Sequence, residues 1–377
     1  MTVRVAVVGL GWAARTIWLP RLDRAPGWTV TALVDPDPAA RAAAAADRPG
    51  ARVLPGPDGL APDEADLVVV AAPNHAHSAV ACGLLRRGLP VFLEKPVCLT
   101  AAEADDLAAA EHAGRSTLIA GSAARHRADI RALRHVLPSL GPVRHVSVAW
   151  ERARGVPGTG WFTRRDLSGG GALVDLGWHL LDTALPLLGP DEVEQVVGAV
   201  GSDFVRRAGA QAAWKEGGPA AGTGAGEAQG DVEDAMKDTV EDTVRAFLVT
   251  RDGASVSLHA AWASHAALDT TVVEVHGGRG VATLRCTFGF SPNRDGRSRL
   301  TVSRDGDATE VPLPDEPIGA EYDRQIAALP ALLSDPAERG RAVAEARRTI
   351  DVVERIYASA RWSHRVPATR SRSWAPA

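Results

Sequence analysis

Val3-Arg4-Val5-Ala6-Val7-Val8-Gly9-Leu10-Gly11-Trp12-Ala13-Ala14 decides the fold class of this chain. The valine-rich run predicts a buried strand, a glycine turn follows at once, and a helix is predicted from about Ala13. In that setting Gly9 permits a tight turn and Gly11 lets the backbone approach a pyrophosphate, whose charge meets the N–H groups at the helix start. The third position of the G-x-G-x-x-G pattern is Ala14, small enough for the helix to pack close to the strand. Trp12 and Ala13 sit in the same turn and are expected to line the cofactor.

Outward from that turn, further apolar runs at Thr29–Val34, Leu67–Ala72, Val91–Leu93 and Thr117–Ala120 alternate with helical stretches such as Ala76 to Arg87. Continuous apolar strands separated by helices predict a parallel sheet covered on both faces, a doubly wound α/β Rossmann domain over residues 1–123. Beyond it, Val143–Trp150, Asp242–Val249, Ala254–Trp262, Thr270–His276 and Gly280–Arg285 alternate and follow one another without crossover helices. They predict an α+β domain with a largely antiparallel open sheet over residues 124–364, its face covered by helices at Ala172–Leu188 and Ala342–Trp362. Residues 208–230, rich in Gly and Ala, read as a flexible insertion and 365–377 as a loose tail. Val232-Glu233-Asp234 and Val240-Glu241-Asp242 form a short local duplication.

The 377 residues exceed what one core usually supports, which agrees with two domains. A formal charge of −4 argues against nucleic acid or an anionic membrane as partner, since both need concentrated positive charge. No apolar run approaches a bilayer span, and no signal segment precedes the first strand, so a cytoplasmic protein is expected. Cys82, Cys98 and Cys286 are odd in number and widely spaced, and read as small buried apolar residues rather than disulfides or metal ligands.

Asp35 ends the second strand, where a carboxylate can accept bonds from both ribose hydroxyls of NAD and repel the 2′-phosphate of NADP. NAD is therefore favoured over NADP. The competing readings are a helix cap within Asp35-Pro36-Asp37-Pro38, and Arg41 turned inward to serve a 2′-phosphate. Pro73, Asn74 and His77 follow the third apolar strand at the carboxyl edge, where such sheets bind ligands, and are cofactor candidates. Asn74 is equally suited to capping the next helix, and His75 with His77 makes a poor metal pair, so no metal is expected. Glu94-Lys95-Pro96 closes another strand, with Glu94 and Lys95 expected to line the cofactor, and Gly169-Gly170-Gly171 precedes Asp175 and His179. A lysine, a carboxylate and an imidazole near one dinucleotide constitute an alcohol/ketone redox site.

In this order the motifs resemble the Gfo/Idh/MocA family, the glucose–fructose oxidoreductase and inositol dehydrogenase type. The resemblance runs from Gly9-Leu10-Gly11 through Ala72-Pro73-Asn74-His75-Ala76-His77 and Glu94-Lys95-Pro96 to Gly169-Gly170-Gly171-Ala172-Leu173-Val174-Asp175-Leu176-Gly177-Trp178-His179. It implies that Lys95, Asp175 and His179 form the catalytic group and that the chain pairs through its second sheet into a homodimer or homotetramer. Ala14, Trp12 and the insertion after Arg207 depart from the pattern.

Elementary chemistry agrees with that group. Asp175 and His179 are i, i+4 on a helix and share a face. A neutral His179 can take the proton of a substrate hydroxyl as hydride leaves its carbon, and Lys95 can hold the substrate oxygen. Asp175 either orients substrate or steadies the imidazole. Lys95, Asp175 and His179 are expected to touch substrate together with Arg125, Trp161 and Arg164, with His126 and Arg165 as further candidates. The expected activity is NAD(P)-dependent hydride transfer at a secondary alcohol or ketone of a sugar, inositol or aminocyclitol. The alternatives are a retained-NAD epimerase or lyase, and a non-catalytic NAD(P)-binding regulator of the same fold.

Overall fold

The computed structural model describes residues 2–158, 160–189, 192–207, 210–212 and 240–363. Most of the predicted insertion, the first half of the duplication and the predicted tail lie outside the described residues.

The first sheet has the order β3-β2-β1-β4-β5-β6 and every pairing is parallel. Its strands are β1 (Val3–Val8), β2 (Trp28–Val34), β3 (Arg52–Leu54), β4 (Leu67–Val70), β5 (Val91–Leu93) and β6 (Leu118–Ala120). Alternate residues point to opposite faces, which divides the apolar runs between two cores. Val5, Val7, Leu67, Val69 and Phe92 enter one; Ala6, Val8, Val68, Val70 and Leu93 enter the other. This strand order reverses direction between β1 and β4, and ligands bind at the carboxyl ends flanking such a switch point. Gly9 lies there with φ +85°, and a Cβ on it would fall 2.6 Å from the Ala72 amide nitrogen.

The second sheet has the order β14-β13-β12-β11-β7-β10-β9-β8. Its strands are β7 (Val143–Glu151), β8 (Val193–Gly201), β9 (Thr243–Thr250), β10 (Ser255–Ala261), β11 (Thr270–Gly277), β12 (Gly280–Cys286), β13 (Arg299–Arg304) and β14 (Asp307–Val311). All neighbours are antiparallel except β7 and β10, which run parallel at the centre. The sheet is thus mixed and mostly antiparallel. Strands β3, β8, β13 and β14 were not anticipated from sequence. The last two form an exposed edge hairpin with few apolar residues, turned by Asp305 and Gly306 at φ +52° and +92°.

Helical packing departs from a simple division of the chain at residue 123. The helix Ala320–Ser334 returns to the first sheet, where Ile326 and Leu329 pack with Val5, Val7 and Phe92. The helix Arg341–Ser363 packs on both β8 and the helix Ala101–Gly114. Periodicity shows that a helix has an apolar stripe but not which sheet receives it. Cys82, Cys98 and Cys286 are buried free thiols. No helix among the described residues is long and apolar enough to cross a membrane.

Candidate active site

At the phosphate turn, a Cβ added to Gly11 would meet nothing within 4 Å, so this backbone presents an open face. Residues Ala14–Trp18 widen into a π-type turn before the helix Leu19–Arg24, a local form frequent at functional sites. Asp35 fastens the turn: its Oδ2 accepts from Leu10 N at 2.7 Å and its Oδ1 from Asp37 N at 2.8 Å. The helix cap is Asp37, which accepts from Ala39 N at 2.9 Å. Arg41 donates to the carbonyls of Asp35 at 2.6 Å and Pro36 at 3.0 Å, so its guanidinium curls back onto its own loop. The exposed Trp12 ring stands edge-on to Phe290 at 5.9 Å, joining the turn to a loop of the second sheet. The turn, the Asp35 carboxylate and the open Gly11 face fit a dinucleotide.

His77 corrects an expectation. It is buried, with its two ring nitrogens 2.7 Å from Pro96 O and 2.8 Å from Ala72 O, so it ties two strand ends together and has no free nitrogen for a cofactor. Burial lowers its pKa, opposed by the two carbonyls. Asn74 is also buried and donates to Ser168 O at 2.9 Å, linking the first sheet's edge to the segment before the glycine run. Glu94 accepts from Trp18 Nε1 at 2.7 Å and from Lys95 N at 2.9 Å. Burial raises its pKa, opposed by Lys95 and these bonds.

Lys95, from the end of β5, reaches Asp175 across the two sheets: Nζ to Oδ1 is 2.5 Å. The other carboxylate oxygen accepts from Trp262 Nε1 at 2.9 Å. Burial alone would raise the pKa of Asp175, but Lys95, Arg152 and these bonds hold it well below the usual carboxylate range. His179 follows one turn later. Burial, then the Lys95 and Arg152 cations, push its pKa down to about 3, against the opposing pull of Asp175. Its ring lies 5.8 Å from that of Trp150, and neither nitrogen has a hydrogen-bond partner among the described residues. The pair spans a π-type turn, Leu173–Gly177, followed by the helix Trp178–Ala184, rather than one long α-helix.

The three glycines have a structural cause that is visible only in the fold. A Cβ on Gly171 would lie 1.8 Å from Glu241 O, and one on Gly170 would lie 2.0 Å from the Tyr357 hydroxyl. Glu241 Oε1 accepts from Gly171 N at 2.9 Å, Leu173 N at 3.0 Å and Tyr357 Oη at 2.8 Å. One buried carboxylate therefore caps the segment that carries Asp175 and His179. Burial pushes Glu241 up in pKa, opposed by Tyr357 and the amide donors.

The remaining candidates lie apart from this group in their contacts. Arg125 is held by Asp182, with Nη2 to Oδ1 at 2.5 Å, and by Glu345, which corrects its expected role in binding substrate. The cause is that two carboxylates converge on it from helices distant in sequence. Arg164 is exposed and pairs with Asp166 at 2.7 Å. Arg165 lies over the Tyr357 ring at 4.9 Å. Burial and neighbouring arginines push the His126 pKa down to about 4. Trp161 stacks on Phe162 at 4.0 Å. Trp262, Arg152 and Glu241 were missed from sequence. Trp262 and Arg152 each directly follow an apolar strand, and Lys95 follows one after a single intervening residue; that similar placement was the available signal.

A six-stranded parallel sheet in dinucleotide-binding order, joined to a lysine, carboxylate and imidazole at its edge, defines an NAD(P)-dependent oxidoreductase. The chain belongs to the Gfo/Idh/MocA family: models described as "Oxidoreductase family, NAD-binding Rossmann fold" and "GFO/IDH/MocA C-terminal domain" match residues 3–122 and 130–283. It is 53% identical over 364 residues to a candidate UDP-kanosamine synthase oxidoreductase subunit of Amycolatopsis mediterranei (strain S699), covering 96% of each chain. The structure of GenD2 from gentamicin A biosynthesis, in complex with NAD, is 25% identical with a TM-score of 0.72, over 96% of this chain and 94% of that one. KijD10, a 3-ketoreductase from Actinomadura kijaniata in complex with NADP and TDP-benzene, shares the fold at 21% identity and a TM-score of 0.74, over 95% of this chain and 98% of that one.

Proposed function

We propose that this chain uses NAD to interconvert a secondary hydroxyl and a ketone on a hexose ring, with carbon 3 as the reacting position. The observation that carries the reading is the neutral His179, its nitrogens unpartnered, one turn beyond an Asp175 that grips Lys95. The phosphate turn and Asp35 would hold NAD, which would supply the hydride acceptor for the carbinol carbon in the oxidising direction. His179 takes the hydroxyl proton, so the carbon loses two electrons as its C–H bond breaks and the C=O bond forms. Burial keeps the imidazole unprotonated, as a base must be, but also makes it weak. Lys95 supplies the complement, since its cation stabilises negative charge on the substrate oxygen as it loses its proton. Asp175, fixed by Trp262, positions Lys95.

Two features support NAD over NADP. Asp35 places a carboxylate beside the turn where a 2′-phosphate would have to sit, and Arg41 is occupied by backbone carbonyls. Carbon 3 is supported by the names of relatives: kanosamine is a hexose with an amine at that carbon, which a ketone there would accept, and KijD10 is a 3-ketoreductase. Exposed Val197 and Phe247 on the second sheet support pairing of two copies through that face.

The test follows absorbance of NADH with NAD and a panel of glucose, UDP-glucose, inositols and aminocyclitols, with a carbonyl trap to draw the oxidation forward. A rise with a hexose is the expected result. No rise with any of them, despite NADH binding, would overturn the reading in favour of a retained cofactor or a regulator.

A further inference from the structure

We propose that a cavity beside the Asp175 site seats the diphosphate and nucleoside of a nucleotide-activated sugar. The inference rests on the reading of the chain as a hexose oxidoreductase and adds the form in which the hexose arrives.

The parallel pairing of β7 and β10 locates the cavity. It sets the carboxyl ends of both strands at one edge of the second sheet, where Arg152 follows β7 and Trp262 follows β10. Trp262 holds Asp175. Two or three residues further along each segment, Arg154, Ser264 and His265 line a cavity of about 790 Å³, completed by Phe204, Arg207 and Asn293 from the loops after β8 and β12. Its walls are tied together, since Ala153 N donates to Asp269 Oδ1 at 2.8 Å and Asn293 Nδ2 to Ala267 O at 3.0 Å. The cavity thus begins within two residues of a side chain that touches Asp175, and no residue of the first sheet lines it.

Charge identifies the ligand. Arg154 and Arg207 have no ion-pair partner among the described residues, whereas Arg4, Arg48, Arg52, Arg125 and Arg127 are each paired with a carboxylate. Two free guanidiniums in a concave site match the two charges of a diphosphate, which Arg binds by paired N–H bonds. Arg207 lies over the Phe204 ring at 4.8 Å and His265 meets the same ring edge-on at 5.3 Å, giving the aromatic wall that a nucleobase needs. The volume falls in the usual range for small-molecule sites, roughly 300–1,000 Å³, and exceeds what one hexose requires. With the diphosphate here, the sugar ring extends toward Asp175 and His179.

Kinetics with NAD and three substrates, glucose, glucose 1-phosphate and UDP-glucose, tests the assignment, together with calorimetric binding of UDP alone to the NAD-loaded protein. UDP-glucose should be the best substrate. In the Arg154→Gln/Arg207→Gln protein its kcat/KM should fall roughly a hundredfold, with UDP binding lost and the rate on free glucose unchanged. Both residues are exposed, so the fold should survive, and an unchanged melting temperature checks this. If the wild-type protein oxidises a hexose but binds no UDP, or the double variant binds UDP as well as wild type, the cavity assignment falls and the oxidoreductase reading stands. Equal use of glucose 1-phosphate and UDP-glucose would also overturn it. If no substrate is oxidised, the function proposal fails, while UDP binding that needs both arginines still supports the cavity.

Discussion

Lys95 Nζ, carried by the parallel sheet, and Asp175 Oδ1, carried by the segment that packs on the mixed sheet, lie 2.5 Å apart. Both side chains are largely buried, so removing either partner leaves an uncompensated charge in a poorly solvated site. The pair also sets the electrostatics of His179, because Lys95 lowers and Asp175 raises the imidazole pKa.

Lys95→Ala should reduce kcat by about a thousandfold or more, the scale of losing an electrostatic stabiliser together with its oriented partner. NADH affinity by fluorescence titration should stay within about threefold, since the phosphate turn is elsewhere. Asp175→Asn keeps an acceptor for Trp262 but frees Lys95, and should lose kcat with little change in NADH binding. Wild-type turnover in both variants would sink the mechanism.

The His179 pKa of about 3 has two consequences for pH. The free enzyme should show no imidazole limb in kcat/KM between about pH 5.5 and 7.5, because the base is already neutral there. For stability, the unfolded imidazole gains a proton below about pH 6.5 while the folded one does not, so this group's contribution is lost as pH falls toward 3. In His179→Asn, urea unfolding compared at pH 7 and pH 4.5 should show an acid loss smaller than wild type by about 2–3 kcal/mol. An equal loss in both would show that His179 titrates normally.

Asp35→Asn keeps an acceptor for Leu10 N and removes the charge that would oppose a 2′-phosphate. The ratio of kcat/KM with NADP to that with NAD should rise about tenfold or more. An unchanged ratio would mean that selectivity resides elsewhere.

Gly171→Ala drives a methyl into the Glu241 carbonyl and disturbs the cap of the segment bearing Asp175 and His179. A loss of about 3 kcal/mol is expected from backbone overpacking. Thermal unfolding and activity should fall together, and a melting temperature within a degree of wild type would show that the loop yields freely.

Much of this was legible in the chain. The Val3–Val8 run with Gly9 and Gly11 specified the parallel sheet and its ligand edge, because strand, turn and helix start are adjacent in sequence and obey local rules. The Asp175–His179 spacing survived even though the helix is partly π-type. The partners that the glycine run approaches closely were invisible in the sequence: Glu241 and Tyr357 lie 70 and more residues away. Arg125 illustrates the converse, a cation that sequence leaves free and tertiary contacts with Asp182 and Glu345 consume.

Sequence by itself determined the strands other than β3, β8, β13 and β14, the phosphate turn and the residue types of the candidate group Lys95, Asp175 and His179, since periodicity, glycine placement and helical spacing act over a few residues. Only the tertiary structure decided that Lys95 meets Asp175, that Trp262 and Arg152 flank it, that His77 and Arg125 are tethers, and that Ala320–Ser334 returns to the first sheet. Those outcomes depend on which distant groups share a small buried volume, where an unpaired charge or donor is expensive, and no local pattern encodes that choice.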